Sequence, residues 1–193
     1  MNRRHCLAAA GALALGWAAV SAWSQPANPP AGVPAAVPVA PLRSLAVLDF
    51  ELVDEQNNPL TKAAQLLRLA QATGQIQREL AERGLYRVID AAPSAGLQAS
   101  LRNQQEYLYR CDDCADQVGR LLGVELVMAT WVQKVSELIL NLNVQIYDVK
   151  AQQVLLSKSV DMRGNDDTSW TRAVRYLVRD MADKRARNPR YGQ

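Results

Sequence analysis

Between residues 138 and 149 the sequence reads LILNLNVQIYDV. Leu138, Leu140, Leu142, Val144 and Ile146 fall on one side of this alternation, and Asn141, Asn143 and Gln145 on the other. A period of two is the repeat of a β-strand, so the stretch demands a sheet with one face buried and the other wet. Antiparallel sheets meet that demand most often. The flanks agree: residues 124–135 are long and apolar enough for a central strand, and VLLSKSVDMRG, starting at Val154, supplies another. Short polar turns join the three, so the second half of the chain is expected to form a three-stranded antiparallel meander.

The first half has a different rhythm. Within SLAVLDFELV, Leu45, Ala46, Val47 and Leu48 run continuously apolar, the mark of a strand covered on both sides. Ala63, Leu66, Leu69, Thr73, Ile76 and Leu80 then recur at steps of three and four, a helical stripe that stops at Gly84. YRVID, residues 86–90, is a short strand, which completes a βαβ unit with parallel strands. Shorter helices are expected near residues 95–102 and 111–122. A closing helix begins after Asn165, Asp166 and Asp167, whose side chains suit a helix amino end, and buries Trp170, Ala173, Val174, Leu177, Val178 and Met181. The fold class is therefore α/β (α+β): a mixed sheet with a parallel βαβ start and a three-stranded antiparallel meander, with helices packed on the sheet. One domain is expected over residues 42–188, with residues 189–193 as a tail.

The amino terminus, MNRRHCLAAAGALALGWAAVSAWSQ, sets a compartment. Two arginines precede an uncharged, mostly apolar run at residues 6–20, shorter than the roughly 20 residues a membrane-spanning helix needs. Residues 1–24 read as a signal peptide cut after Ser24, with a retained anchor as the other reading. Cys6 follows His5 rather than a small residue and precedes the apolar run, which argues against lipid attachment. Residues 25–41, QPANPPAGVPAAVPVAP, hold six prolines and no charge and are expected to be a flexible, extended linker. The expected location is the periplasm of a Gram-negative bacterium, with no transmembrane span once the signal is removed.

Composition then excludes several chemistries. The chain has 22 basic and 19 acidic side chains and one histidine. Removal of residues 1–24 takes away Arg3, Arg4 and His5 and leaves 20 basic side chains, near neutrality and without imidazole. Ser-His-Asp and Cys-His catalysis and histidine ligation of a metal or haem are excluded. Balanced charge gives no footing for nucleic acid. No glycine-rich phosphate loop is present, and no cofactor is expected.

Three features could carry function. Cys111 and Cys114, within YRCDDCADQVGRLLG, are three positions apart. Haem attachment would need histidine at Ala115, and tetrahedral zinc would need more ligands than one helical turn can turn inward. A disulfide is the expected state in an oxidising compartment, where a local loop stabilises modestly. Thiol-disulfide exchange is the alternative, although Asp112 and Asp113 oppose a thiolate. Asp49 and Asp90 stand at the carboxyl ends of the two parallel strands, where open α/β sheets place ligand groups, or else they cap the loops that follow. Trp131, if exposed on the meander, would anchor a partner.

The order of elements, with LAVLDF, IQRELAERGLYRVID and the stretch running from ADQVGRLLG into the meander, resembles the TolB amino-terminal domain and its CsgG-like relatives. These carry Thr-Gly in a turn where this chain has Val149, Lys150 and Ala151 after Asp148. The full pattern, with the paired cysteines and SVDMRGNDDTSWTRAVRYLVRDM, is similar to a family of small secreted proteobacterial proteins known only as a domain of unknown function. That resemblance implies the periplasm and genomic company with quinoprotein dehydrogenase systems, and it supplies no catalytic residues. The functional expectation is a non-enzymatic binding or assembly module acting through protein–protein contacts. Its alternatives are a thiol-disulfide protein using Cys111 and Cys114 and a small-ligand or metal receptor at the strand ends.

Overall fold

The computed structural model describes residues 41–193; the expected signal peptide and all but the last residue of the linker lie outside the described residues. In chain order the elements are β1 (Ser44–Val47), β2 (Glu51–Asp54), α1 (Pro59–Glu82), β3 (Arg87–Ile89), α2 (Ala95–Gln104), α3 (Cys114–Leu122), β4 (Leu126–Lys134), β5 (Leu140–Asp148), β6 (Gln153–Met162) and α4 (Asp167–Arg187). Single 3-10 turns at Ala92–Ser94 and Leu108–Arg110 precede α2 and α3. One mixed sheet runs β3-β1-β4-β5-β6, with β2 also paired to β4. β1 lies parallel to β3 and β4, and β4, β5 and β6 form the antiparallel meander. Among the described residues, no helix is long and apolar enough to cross a membrane.

Two apolar layers hold the sheet. One lies under α1 and α4, where Leu45, Val47, Leu142, Val144 and Ile146 meet Ile76, Leu80, Trp170, Leu177 and Met181. The other, smaller layer places Ala46, Leu48 and Val127 against Leu101 of α2 and Val118 of α3. Each such side chain taken fully out of water contributes about 1.5–3 kcal/mol. All six residues expected on the inner side of α4 are buried. Asp166 caps that helix, its carboxylate accepting from Ser169 N at 2.9 Å.

Several expectations shift. SLAVLDFELV is two strands, because β4 pairs with β1 at Val47↔Met128 but with β2 at Glu51↔Trp131, leaving one extra residue on the first segment. This bulge is patched by side chains: Thr130 Oγ1 donates to Leu48 O at 2.9 Å, and Thr73 Oγ1 accepts from Phe50 N at 3.1 Å. The α1 stripe is out of phase over its first turns, for Gln65 is buried while Ala63 and Leu66 are exposed. Leu138 lies in the turn before β5 and is 73% exposed rather than inward. α3 begins at Cys114, with a 3-10 turn upstream that carries no sequence periodicity to announce it.

Glycine ends both helices that precede strands, Gly84 after α1 and Gly123, at φ +64°, after α3. Gly84, at φ +60°, follows α1, where Gly84 N donates to Ala81 O and Leu85 N to Leu80 O. That is the Schellman pattern, completed by apolar contact of two buried leucines. Gly119 serves differently: a Cβ there would run into Val149 Cγ2, so α3 lies directly on the β5–β6 turn.

Residues 189–193 fold back on the domain. Tyr191 packs against the core, Tyr86 donates its hydroxyl to Gly192 O, and Arg185 donates to Tyr191 O and Gly192 O.

Candidate functional site

The two faces of the meander are unequally covered. On β5, Leu140, Leu142, Val144 and Ile146 are buried, whereas Asn141, Asn143, Gln145 and Tyr147 are half-buried. Opposite them on β6, Ser157, Ser159 and Asp161 are exposed. The second face of the outer sheet is thus open, lined by amides and hydroxyls.

Trp131 sits on that face of β4, half-buried, and Tyr109 stacks on it with ring centroids 4.1 Å apart and planes within 5°. Tyr107 lies 5.7 Å beyond, and the Arg110 guanidinium covers both tyrosines at 5.3–5.4 Å. Such contacts are worth about 0.5–1.5 kcal/mol each beyond their buried area. Two devices hold the loop that carries them. Glu51 accepts from Leu108 N and Tyr109 N, and Cys111 and Cys114 are joined by a disulfide. Cys114 is fully buried in the smaller layer, so the bond roots the loop in the core. Sequence reasoning singled out Trp131 and the cysteine pair but missed Tyr109, whose stacking partner is 22 positions away.

Large exposed apolar side chains gather at the same end of the sheet. Leu60, Leu66 and Leu67 belong to the start of α1, and Val135, Leu138 and Ile139 to the β4–β5 turn. Beneath them Lys134 is fully buried, paired with Asp54 at 3.2 Å and Glu137 at 2.6 Å. Burial pulls the Lys134 ammonium down, but hydrogen bonds to Glu137 and Asp54 outweigh it and hold the group above its ordinary range. The bonds from Lys134 and Asn165 in turn hold Glu137 below the usual carboxylate range. Asn165 also accepts from Trp170 Nε1 at 3.0 Å, which ties the turn to α4.

Asp49 and Asp90 are brought together. Asp49 is left exposed beside the bulge, and Asp90 follows β3, the neighbour of β1, with Oδ1 accepting from Ala92 N at 2.9 Å. Both line a cleft of about 480 Å³ between α1 and α2, with Gln98 and Arg102. A second lobe of about 650 Å³ shares Asp49 and Arg102 and adds Lys62, Gln65 and Glu106. Groups of three Asp, Glu, Cys or His ligand atoms within 4.8 Å of one another occur, among the described residues, at Cys111, Asp113 and Cys114. There the disulfide occupies both sulfurs.

The architecture is that of a mixed α/β domain, a parallel βαβ start feeding an antiparallel meander. The chain belongs to the family DUF3280, described as "Protein of unknown function (DUF2380)", whose model matches residues 43–181. No curated protein matches the chain. It is similar in structure to the LpoB C-terminal domain from Salmonella enterica, at 18% identity over 65% of this chain and 86% of that one, with a TM-score of 0.41. A subunit of the PelC dodecamer from Paraburkholderia phytofirmans gives 13% identity over 72% and 87%, with a TM-score of 0.46. TolB from Acinetobacter baumannii gives 11% identity over 78% of this chain and 30% of that one, with a TM-score of 0.42.

Proposed function

We propose that the protein is a secreted periplasmic, non-enzymatic module that binds or helps assemble a partner protein of the cell envelope. The observation that carries this reading is the pre-stacked Trp131–Tyr109 pair on the open face of the meander, with Val135, Leu138 and Ile139 exposed on the turn that follows β4. Contiguous apolar side chains beside an aromatic anchor are what protein interfaces bury. The adjoining Asn-, Gln- and Ser-lined face supplies the polar rim such interfaces carry. An aromatic already held in place loses little freedom on binding, which favours affinity.

The partner is a folded envelope protein, and the quinoprotein dehydrogenase systems implied by the family resemblance are the first place to seek it. A photo-crosslinking residue placed at Leu138 should give discrete adducts in the periplasm, while the same residue at Arg83, beyond the far end of α1, should give none. Trp131→Ala should abolish the Leu138 adducts without lowering the amount of folded protein. Equal labelling from both positions, or none from Leu138, would overturn the reading.

A further inference from the structure

We propose that the carboxyl-terminal half of β6 is a docking edge for an extended acidic segment of a partner protein, which adds to the sheet as a further strand. β6 is the last strand of the sheet and pairs only with β5. Among the described residues, no backbone hydrogen bond from beyond β5 reaches residues 159–162. An open strand edge accepts an extended peptide, whose main chain supplies affinity and whose alternate side chains supply specificity.

That edge opens on a groove of about 600 Å³. Residues 159–162 all line it, although Val160 and Met162 are buried in the main core while Ser159 and Asp161 are exposed on the other face. What four successive residues share is their main chain, so the groove follows the edge of the strand. Arg172, Ala173 and Tyr176 of α4 form the opposite wall. The first half of β6 is guarded: Lys158 turns toward α4 and pairs with Asp180, and an inward charge of this kind keeps an edge from pairing. Docking is thereby confined to the residues beyond Lys158.

Charge selects the occupant. Arg163 and Arg172 line the groove, and Arg179 lies 5.5 Å from the ring centroid of Tyr176 at its rim. All three arginines are exposed, and none is ion-paired among the described residues. Asp161, the one acid among the lining residues, accepts from Asn141 Nδ2. Carboxylates two residues apart on an incoming strand share one face, and the arginines of α4 lie along that face. A second copy of this chain fits less well. Antiparallel pairing of residues 159–162 with themselves sets each copy's Arg163 opposite Lys158 of the other, and like charges directly opposite are destabilising.

Fluorescence anisotropy of a labelled peptide alternating threonine and glutamate, titrated with the purified protein, tests this. Saturable binding is expected, weakening as salt is raised. Arg172→Glu and Arg179→Glu, both at exposed positions, should each weaken it by about ten-fold or more. Successive N–H groups of a strand point to opposite edges, so N-methylation of one alternate set of peptide amides should abolish binding and methylation of the other set should spare it. Amide NMR of the unaltered protein should show the largest shifts at residues 159–162. No binding at millimolar protein, equal binding of a threonine–lysine peptide, or an affinity indifferent to methylation of either set would overturn the proposal. The crosslinking experiment reads Leu138 and Trp131 and this one the arginines of α4, so either reading can fail alone.

Discussion

The two faces of the sheet are built to different standards. Under α1 and α4 the strands present an unbroken apolar surface, and Leu140, Leu142, Val144 and Ile146 have no exposure at all. On the other face two short helices and a disulfide-rooted loop cover the strands nearest β1, and the rest of the meander meets solvent through amides, hydroxyls and a stacked tryptophan. The first face supplies most of the stability, and the second spends little on it and keeps its side chains available. Packing is thereby concentrated on one side of the sheet, so a substitution on the open face can leave the main core undisturbed.

The sharpest way to break this contrast is to cut into the well-covered face. Leu142→Ala should cost about 2–5 kcal/mol in urea unfolding, since a fully buried leucine leaves a cavity the surrounding helices cannot fill. On the other face Gly119→Ala should cost about 1–3 kcal/mol, because its new methyl group meets Val149. A loss as large as that of Leu142→Ala would show the second layer to be as stability-critical as the first.

Reduction of Cys111–Cys114 comes next. Opening so small a loop should cost about 2 kcal/mol or less, and it should change Trp131 fluorescence as Tyr109 loses its footing while far-UV circular dichroism is kept. Unchanged fluorescence would mean that Glu51 alone positions the loop.

The smallest effect is that of pH. Hydrogen bonds from Ser44 hold Glu125 below the usual carboxylate range. At Asp148 burial works the other way but is outweighed by bonds from Ala151 N and Arg43, so its folded value is also depressed. Stability from these groups is therefore complete above their unfolded values, about 4, and is lost as pH falls through the lower folded values. Lys134 has the opposite sign: its contribution is whole below about 10.4 and is lost as pH rises through the raised folded value. A melting temperature that is level between these limits and drops at both ends is the expected curve.

Much of this was legible in the chain. Leu140 to Ile146 alternate, the residues from Trp170 to Met181 repeat at helical spacing, and both patterns survive because one face of each element is fully buried. The parallel pairing of β1 with β3 also followed, from the strand-helix-strand order of the first half. What escaped depends on partners distant in sequence. The break between β1 and β2 is held by Thr130 and Thr73, and Tyr109 finds Trp131 only after the sheet has formed. Local periodicity carries no signal for any of these.

The placement of β1 has a consequence for how the chain is made. This strand comes first among the described elements yet lies inside the sheet between β3 and β4, and the core it faces also takes in residues of α4, the last helix. A nascent chain therefore cannot close its core until its final residues have been synthesised. Closure of the core thus waits on contacts between residues far apart in the chain, the order of events that slows folding.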